Sequence, residues 1–142
     1  VLIDEIIANS HGLPLIFPAH PRTAKILTKI GISFENLQII EPLGYLEFNY
    51  LVENSRAVIT DSGGITEETT VMGVPCITLR DNTERPATVT IGTNELIGTD
   101  PRSIKPTMEK LFSGKWKKGV IPELWDGKAG QRIVNTLVSL IK

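Results

Sequence analysis

The sequence predicts an α/β domain in which a parallel β-sheet is covered by helices on both faces. Short segments rich in Val, Ile and Leu alternate with longer segments that place apolar residues at helical spacing. Apolar strands that alternate with helices are typical of parallel sheets buried on both sides. The length of 142 residues is that of one ordinary domain.

The individual elements follow from apolar spacing and from the glycines and prolines between the segments. Strands are predicted at residues 13–18, 37–40, 57–60, 76–79 and 95–97, where short apolar runs occur. Helices are predicted at residues 1–9, 22–30, 45–53, 65–72, 86–91, 103–112 and 129–141. Gly31 and Gly73 end two of these helices, and Pro86 stands at the first position of another. The pattern leaves the strand order open.

Composition describes a soluble globular protein and gives no electrostatic case for binding nucleic acid or a membrane. The formal net charge is −1, and 41% of the residues are hydrophobic. No apolar run approaches the roughly 18 residues that a membrane span needs, and no signal peptide is recognisable. The single Cys76 fits a reducing, cytoplasmic location, and no Cys and His cluster has metal-ligand spacing. Because the chain starts at Val1 inside an amphipathic pattern, we expect it to be part of a longer protein.

The junction between the third predicted strand and the following helix is the most informative feature of the sequence. Residues 61–68 read Asp-Ser-Gly-Gly-Ile-Thr-Glu-Glu. A strand that passes through Ser62, Gly63 and Gly64 into a helix leaves backbone N–H groups unpaired, with no side chains in the way. Such a corner suits phosphate. The alternative is a tight turn in which the glycines adopt positive φ and Ser62 caps the helix.

Two carboxylates lie in the first turn of this helix. Glu67 and Glu68 project about 100° apart, so only one of them can face a ligand at the corner. A carboxylate beside a bound diphosphate is repelled unless it accepts hydrogen bonds, and ribose hydroxyls are therefore the expected partner of Glu68. The alternative is that both acids only complement the helix dipole, which is worth roughly 0.3–1 kcal/mol.

Three polar clusters follow predicted strands and should therefore meet at one edge of the sheet. His20 follows the first strand, Ser62 to Gly64 follow the third, and residues 80–85 (Arg-Asp-Asn-Thr-Glu-Arg) follow the fourth. Ligands of open α/β sheets bind beyond the carboxyl ends of the strands. The convergence predicts a binding site at this edge.

The other candidates each have an ordinary structural alternative. His20 is suited to a phosphate contact or to proton transfer, but a surface histidine is usually idle. Arg85 is suited to phosphate, and the alternative is a salt bridge with Glu84 or Asp81. Phe48 could stack on a base, although an aromatic residue at helical spacing more often belongs to the core.

Six motifs at specific spacing carry a family resemblance. They are Phe-Pro-Ala-His-Pro-Arg-Thr (17–23), the corner at 61–68, Gly-Val-Pro (73–75), Arg-Asp-Asn-Thr-Glu-Arg-Pro (80–86), Gly-Thr-Asp (98–100) and Pro-Glu-Leu-Trp-Asp-Gly-Lys (122–128). Together they resemble the non-hydrolysing UDP-N-acetylglucosamine 2-epimerases, and the likeness corresponds to the carboxyl-terminal half of such an enzyme. Thr66 stands where many members have Gln.

The resemblance implies a fold and an activity. It implies the Rossmann-like carboxyl-terminal domain of a two-domain enzyme of the glycosyltransferase-B type, with the active site between the domains. Such enzymes act in the biosynthesis of cell-surface polysaccharides and interconvert UDP-N-acetylglucosamine and UDP-N-acetylmannosamine. They eliminate UDP across C1–C2 and add it back with inversion at C2. No cofactor or metal is implied.

Roles for individual residues also follow from the resemblance. It implies that Phe48 lies against the uracil, that Glu68 binds the ribose and that His20 is a catalytic residue near the phosphate and the reacting sugar. It also implies that the diphosphate is bound by four residues: Ser62, Gly63, Gly64 and Arg85.

The resemblance further implies partners beyond this chain. Residues 1–12 would end a linker helix, and residues 129–142 would form a closing helix that packs on the absent amino-terminal domain. That domain would supply the acids that move the C2 proton, so this chain alone should be inactive. The full enzyme would be a homodimer. The rival interpretations are a hydrolysing 2-epimerase that releases free N-acetylmannosamine and a nucleotide-sugar binding module without catalysis.

Overall fold

The computed structural model describes residues 2–29, 31 and 34–141. The helices are α1 Leu2–Ala8, α2 Pro21–Lys29, α3 Tyr45–Glu53, α4 Ile65–Met72, α5 Pro86–Thr90, α6 Ile104–Phe112 and α7 Ala129–Leu140, with a short 3-10 helix at Pro101–Ser103. The strands are β1 Leu15–Pro18, β2 Leu37–Ile40, β3 Val58–Thr60, β4 Cys76–Thr78 and β5 Asn94–Leu96. Every predicted element is present, with bounds that differ by about two residues or fewer. The ends predicted at Val1, Ile30 and Lys142 lie outside the described residues.

All described strand pairs are parallel, which confirms the α/β class. β1 pairs with β2, and β3, β4 and β5 form a second sheet in that order. The expected single sheet is therefore divided into two within the described part of the chain. The division could not be predicted, because apolar runs indicate extended segments but carry no information on which strand edges pair.

The first strand begins later than predicted because the backbone of Leu13 is engaged elsewhere. Its N–H donates to the carbonyl of Ser10, and its carbonyl accepts from Asn36 Nδ2 at 3.2 Å. These bonds hold the residue in the turn after α1, so the ladder starts at Leu15.

Helices cover both faces of the three-stranded sheet, as predicted. Side chains alternate along β4. Ile77 packs in a core with Ile104, Met108 and Leu111 of α6, and apolar residues of α1 lie against the same core. The opposite face of the sheet meets α4 and α5 and is lined by buried threonines (Thr66, Thr69, Thr70, Thr78, Thr88, Thr93) and Asn94. One face of the sheet thus packs through apolar side chains, and the other packs mainly through polar side chains that form hydrogen bonds.

Cys76 lies on the polar face and is fully buried. Burial raises the pKa of its thiol, although hydrogen bonds with Thr69 and Thr78 oppose the shift. The thiolate is the reactive form of cysteine, so this residue is an inert core thiol, as the sequence indicated.

The last helix presents an apolar stripe to solvent. Each of its residues Ile133, Val134, Leu137 and Leu140 is more than half exposed, as is Ile141 just after it. The packing of α7 on another domain stays a prediction. In the described portion of the protein, no helix is both long and apolar enough to cross a bilayer.

Candidate functional site

The corner between β3 and α4 consists of Asp61, Ser62, Gly63 and Gly64. Gly64 is the N-cap residue of α4 with φ −63° and ψ −48°, and the helix has no side-chain cap hydrogen bond. Neither Gly63 nor Gly64 has a positive φ. The alternative of a turn that needs left-handed glycines and a Ser62 cap is therefore wrong.

Packing within the described chain does not require these glycines either. A Cβ added to Gly64 would meet no atom within 4 Å. A Cβ added to Gly63 would lie 3.3 Å from Glu84 Oε2, which is the end of a flexible side chain. The two glycines consequently leave the backbone open to approach from outside the fold.

Backbone donors at the corner are available for binding. The N–H of Ser62 donates to Thr60 Oγ1 at 3.0 Å, whereas the N–H groups of Gly63 and Gly64 donate to none of the described residues. The two carbonyls are used: that of Gly63 accepts from Thr66 Oγ1 at 2.6 Å, and that of Gly64 accepts from the Glu67 N–H at 3.1 Å. The corner thus presents two adjacent free donors at the positive end of a helix.

The segment 80–85 lies over this corner, which confirms that the two clusters meet at one sheet edge. Arg80 Nη1 and Glu84 Oε2 are both within 4 Å of the position that a Gly63 Cβ would occupy. Arg80 pairs with Glu84 at 3.5 Å. Arg85 pairs instead with Glu67, with 3.0 Å between Nε and Oε1. The salt-bridge alternative for Arg85 was therefore correct in kind but wrong in naming Glu84 or Asp81 as the partner.

The two acids of the first turn of α4 have different surroundings. Glu67 is engaged by Arg85. Glu68 is half-buried, and its carboxylate forms no hydrogen bond or ion pair with any residue that the structure describes. Glu68 is accordingly the carboxylate that remains free to accept hydrogen bonds from a ligand.

His20 and Phe48 are not brought to the corner by any described contact. His20 is exposed just after β1, in the two-stranded sheet, and its Nδ1 accepts from the Arg22 N–H at 3.4 Å. Phe48 is partly buried on α3, which packs against α4. The sites proposed for these two side chains stay predictions.

Concave shape alone does not identify the site. A groove of about 540 Å³ is lined mainly by apolar residues of β1, β2 and α3, among them Ile16, Ile40 and Tyr50. It contains none of the predicted site residues. The chemistry of the corner is a better guide, since a phosphate site needs donors rather than apolar walls.

Sequence reasoning missed a buried chain of hydrogen bonds that reaches Arg85. Thr78 Oγ1 donates to Asn94 Oδ1 at 2.6 Å, and Asn94 Nδ2 donates to Thr88 Oγ1 at 3.2 Å. Thr88 Oγ1 in turn donates to the Arg85 carbonyl at 2.8 Å. The bonds all run in one direction and tie β4 and β5 to the residue that caps α5. The available signal was the presence of two uncharged polar residues, Thr78 and Asn94, in the neighbouring strands β4 and β5.

Comparisons with known proteins are consistent with one another. A family model for UDP-N-acetylglucosamine 2-epimerase matches residues 1–138. The chain is 43% identical over 136 residues to UDP-N-acetylglucosamine 2-epimerase of Methanococcus maripaludis. The aligned region covers 91% of this chain and 36% of the relative. It is 45% identical over 127 residues to UDP-2,3-diacetamido-2,3-dideoxy-D-glucuronate 2-epimerase of Pseudomonas aeruginosa, covering 89% of this chain and 35% of that protein.

Solved structures agree with this result. The crystal structure of Methanocaldococcus jannaschii UDP-GlcNAc 2-epimerase in complex with UDP-GlcNAc and UDP is 42% identical, with a TM-score of 0.78 over 97% of this chain and 39% of that chain. The Neisseria meningitidis UDP-GlcNAc 2-epimerase bound to UDP-GlcNAc is 32% identical, with a TM-score of 0.83, and the same shares are covered. The chain therefore spans little more than a third of the length of these proteins.

Proposed function

Since the chain belongs to the UDP-N-acetylglucosamine 2-epimerase family, we propose that it is the UDP-binding domain of an enzyme that interconverts UDP-N-acetylglucosamine and UDP-N-acetylmannosamine. The observation that carries the proposal is the corner at Ser62 to Gly64, whose two free N–H groups lie at the start of α4. Two of the similar solved structures hold UDP-GlcNAc, and one of them also holds UDP. A diphosphate is the part of those ligands that such a corner would bind.

Arg85 would add a positive charge to the same diphosphate. Its ion pair with Glu67 uses Nε and leaves the two terminal amino groups of the guanidinium available. A guanidinium presents several donors in one plane, so Arg85 can hold Glu67 and a phosphate oxygen together. Glu67 would then orient the arginine rather than compete with the ligand.

The corner has a direct role in the proposed chemistry. When UDP leaves the sugar, negative charge develops on the β-phosphate. Fixed N–H donors and a guanidinium stabilise that charge more strongly than they stabilise the bound substrate, and this difference lowers the barrier. His20 would stand near the phosphate and the sugar. The groups that move the C2 proton would come from another part of the enzyme.

The exposed stripe of α7 supports a further part of the proposal. Apolar residues at helical spacing that face solvent mark a surface made for contact. We expect α7 to pack on the remaining domain of the enzyme, and we expect the whole enzyme to be a homodimer.

Glu68 would accept hydrogen bonds from the ribose hydroxyls of UDP. Glu68→Ala is expected to weaken UDP binding by about 10- to 100-fold, because hydrogen bonds to a charged group are each worth about 1.5–3 kcal/mol. Titration calorimetry of the 142-residue chain measures the change. The matched control is Glu109→Ala, at an exposed acid of α6, the helix on the other face of the sheet, and it should leave the affinity unchanged. Equal UDP binding by the wild type and Glu68→Ala would contradict the ribose assignment.

Product analysis tests the proposed reaction. The 142-residue chain should bind UDP but convert no UDP-N-acetylglucosamine, whereas the enzyme at the full length of its relatives should form UDP-N-acetylmannosamine. Nuclear magnetic resonance of the products distinguishes this outcome from hydrolysis to free N-acetylmannosamine and from binding without turnover. Turnover by the short chain would show that the groups acting at C2 lie within it.

The sequence similarity to the Pseudomonas aeruginosa protein favours a second candidate for the substrate of the whole enzyme. That relative is named for a UDP-linked diacetamido-glucuronate, and UDP is common to both names. The proposed role of this chain is to hold UDP, so the same assay with both nucleotide sugars decides which is epimerised.

A further inference from the structure

We propose that the buried hydroxyl of Thr66 is a positioning group for the diphosphate site, because it sets the direction in which the Gly64 N–H points. The inference rests on the proposed function, since it assumes that this N–H binds phosphate. It concerns a residue that contacts the backbone of the corner and does not itself reach the ligand.

The geometry of one peptide bond carries the argument. Thr66 is fully buried, and its Oγ1 donates to the Gly63 carbonyl at 2.6 Å. In a planar trans peptide the carbonyl of one residue and the N–H of the next point in opposite directions. The bond to Thr66 holds the Gly63 carbonyl toward the buried side of α4. The Gly64 N–H is thereby turned away from the helix, and Gly64 itself is exposed.

Few other restraints act on this peptide. Both residues lack a side chain, and glycine has the greatest backbone freedom of any residue. A Cβ at Gly64 would have no neighbour within 4 Å, so packing does not hold the residue in place. A donor that is free to turn must be ordered when the ligand binds, and that ordering reduces affinity.

Thr66 can serve as an anchor because it is itself tied to the sheet. Its carbonyl accepts from the hydroxyls of Thr69 at 3.1 Å and Thr70 at 2.8 Å. Thr93, which precedes β5, donates to the Thr69 carbonyl at 3.4 Å. A chain of buried hydrogen bonds thus runs from the sheet to the glycine corner.

The test compares UDP with uridine, which lacks the phosphates. Affinities of the 142-residue chain for both ligands are measured by titration followed with nuclear magnetic resonance, and the quantity of interest is their ratio. Thr66→Val removes the hydroxyl at similar shape. It should lower the preference for UDP over uridine about tenfold while uridine binding is unchanged. Thr66→Ser keeps a hydroxyl and should show the wild-type preference for UDP over uridine.

Thr107→Val is the matched control. Thr107 is a buried threonine of α6, the helix on the other face of the sheet, and its hydroxyl donates to the Ser103 carbonyl at 2.7 Å. This variant should keep the wild-type preference for UDP. Urea unfolding establishes that each variant is folded, and Thr66→Ala takes the place of Thr66→Val if the latter does not fold.

Two results would overturn the inference while leaving the proposed function intact. One is a folded Thr66→Val chain that keeps the full preference for UDP. The other is an equal loss of UDP and uridine affinity, which indicates a general structural role. If the wild type binds UDP no more tightly than uridine, the diphosphate site itself is wrong, and both the proposed function and this inference fail.

Discussion

Gly64→Val is expected to weaken UDP binding by at least about 100-fold while the chain stays folded with nearly wild-type stability. Gly64 has φ −63° and ψ −48°, a conformation open to any residue, and no described atom would lie within 4 Å of an added Cβ. The fold therefore tolerates a side chain at this position, with a change in stability of about 1 kcal/mol or less. The proposed ligand does not, because a branched side chain prevents the phosphate from reaching the backbone donors.

Calorimetry with UDP and urea unfolding separate these two effects. Gly130→Val is the matched control, since Gly130 lies in α7 and is likewise free of neighbours within 4 Å of an added Cβ. It should leave UDP binding unchanged. If Gly64→Val binds UDP as tightly as the wild type, the phosphate does not approach the backbone at this corner.

Arg85→Ala is expected to reduce UDP affinity by about 10- to 100-fold, because a charge-assisted contact with phosphate is among the stronger hydrogen bonds in proteins. The effect on stability should be small. The Arg85–Glu67 pair is close to half exposed, and such pairs contribute about 0–1 kcal/mol. Because Arg85 is expected to contact only the phosphates of UDP, the affinity of Arg85→Ala for uridine should stay at the wild-type level. Arg85→Lys should recover only part of the affinity, since an ammonium cannot hold Glu67 and phosphate in one plane.

Two further arginines make the experiment specific. Arg56 precedes β3 and so lies at the opposite, amino-terminal edge of the parallel sheet, where its Nη2 donates to the Leu111 carbonyl at 3.4 Å. Arg56→Ala should not affect UDP affinity. Arg80 lies near Gly63 and pairs with Glu84, so it is the competing candidate for the phosphate contact. A larger loss in Arg80→Ala than in Arg85→Ala would reverse the assignment.

The sequence was sufficient to predict much of the fold because its local signals agree with one another. Gly73 adopts φ 72° as the C-cap of α4, and Pro86 stands at the start of α5, so two helix bounds were correct. The meeting of Gly63 with residues 80–84 was also predicted, since parallel strands bring their carboxyl ends to one edge.

Interactions between distant side chains could not be predicted in the same way. The partner of Arg85 is Glu67, eighteen positions earlier in the sequence, and only the three-dimensional arrangement of α4 and α5 selects it. The division of the strands into two sheets depends equally on edges that no local pattern describes. Thr66 stands where many family members have Gln, and no local pattern indicated that it is fully buried and bonded to the corner.

The one-way series of hydrogen bonds from Thr78 through Asn94 and Thr88 to Arg85 has a consequence for how this sequence can diverge. Losing only one member leaves a buried donor or acceptor unpaired, which costs about 1–3 kcal/mol, whereas exchanging the whole set for apolar side chains of similar shape can be nearly neutral. Evolution should therefore substitute positions 78, 88 and 94 jointly. Related sequences without the amide of Asn94 are expected to lack the hydroxyls of Thr78 and Thr88 as well.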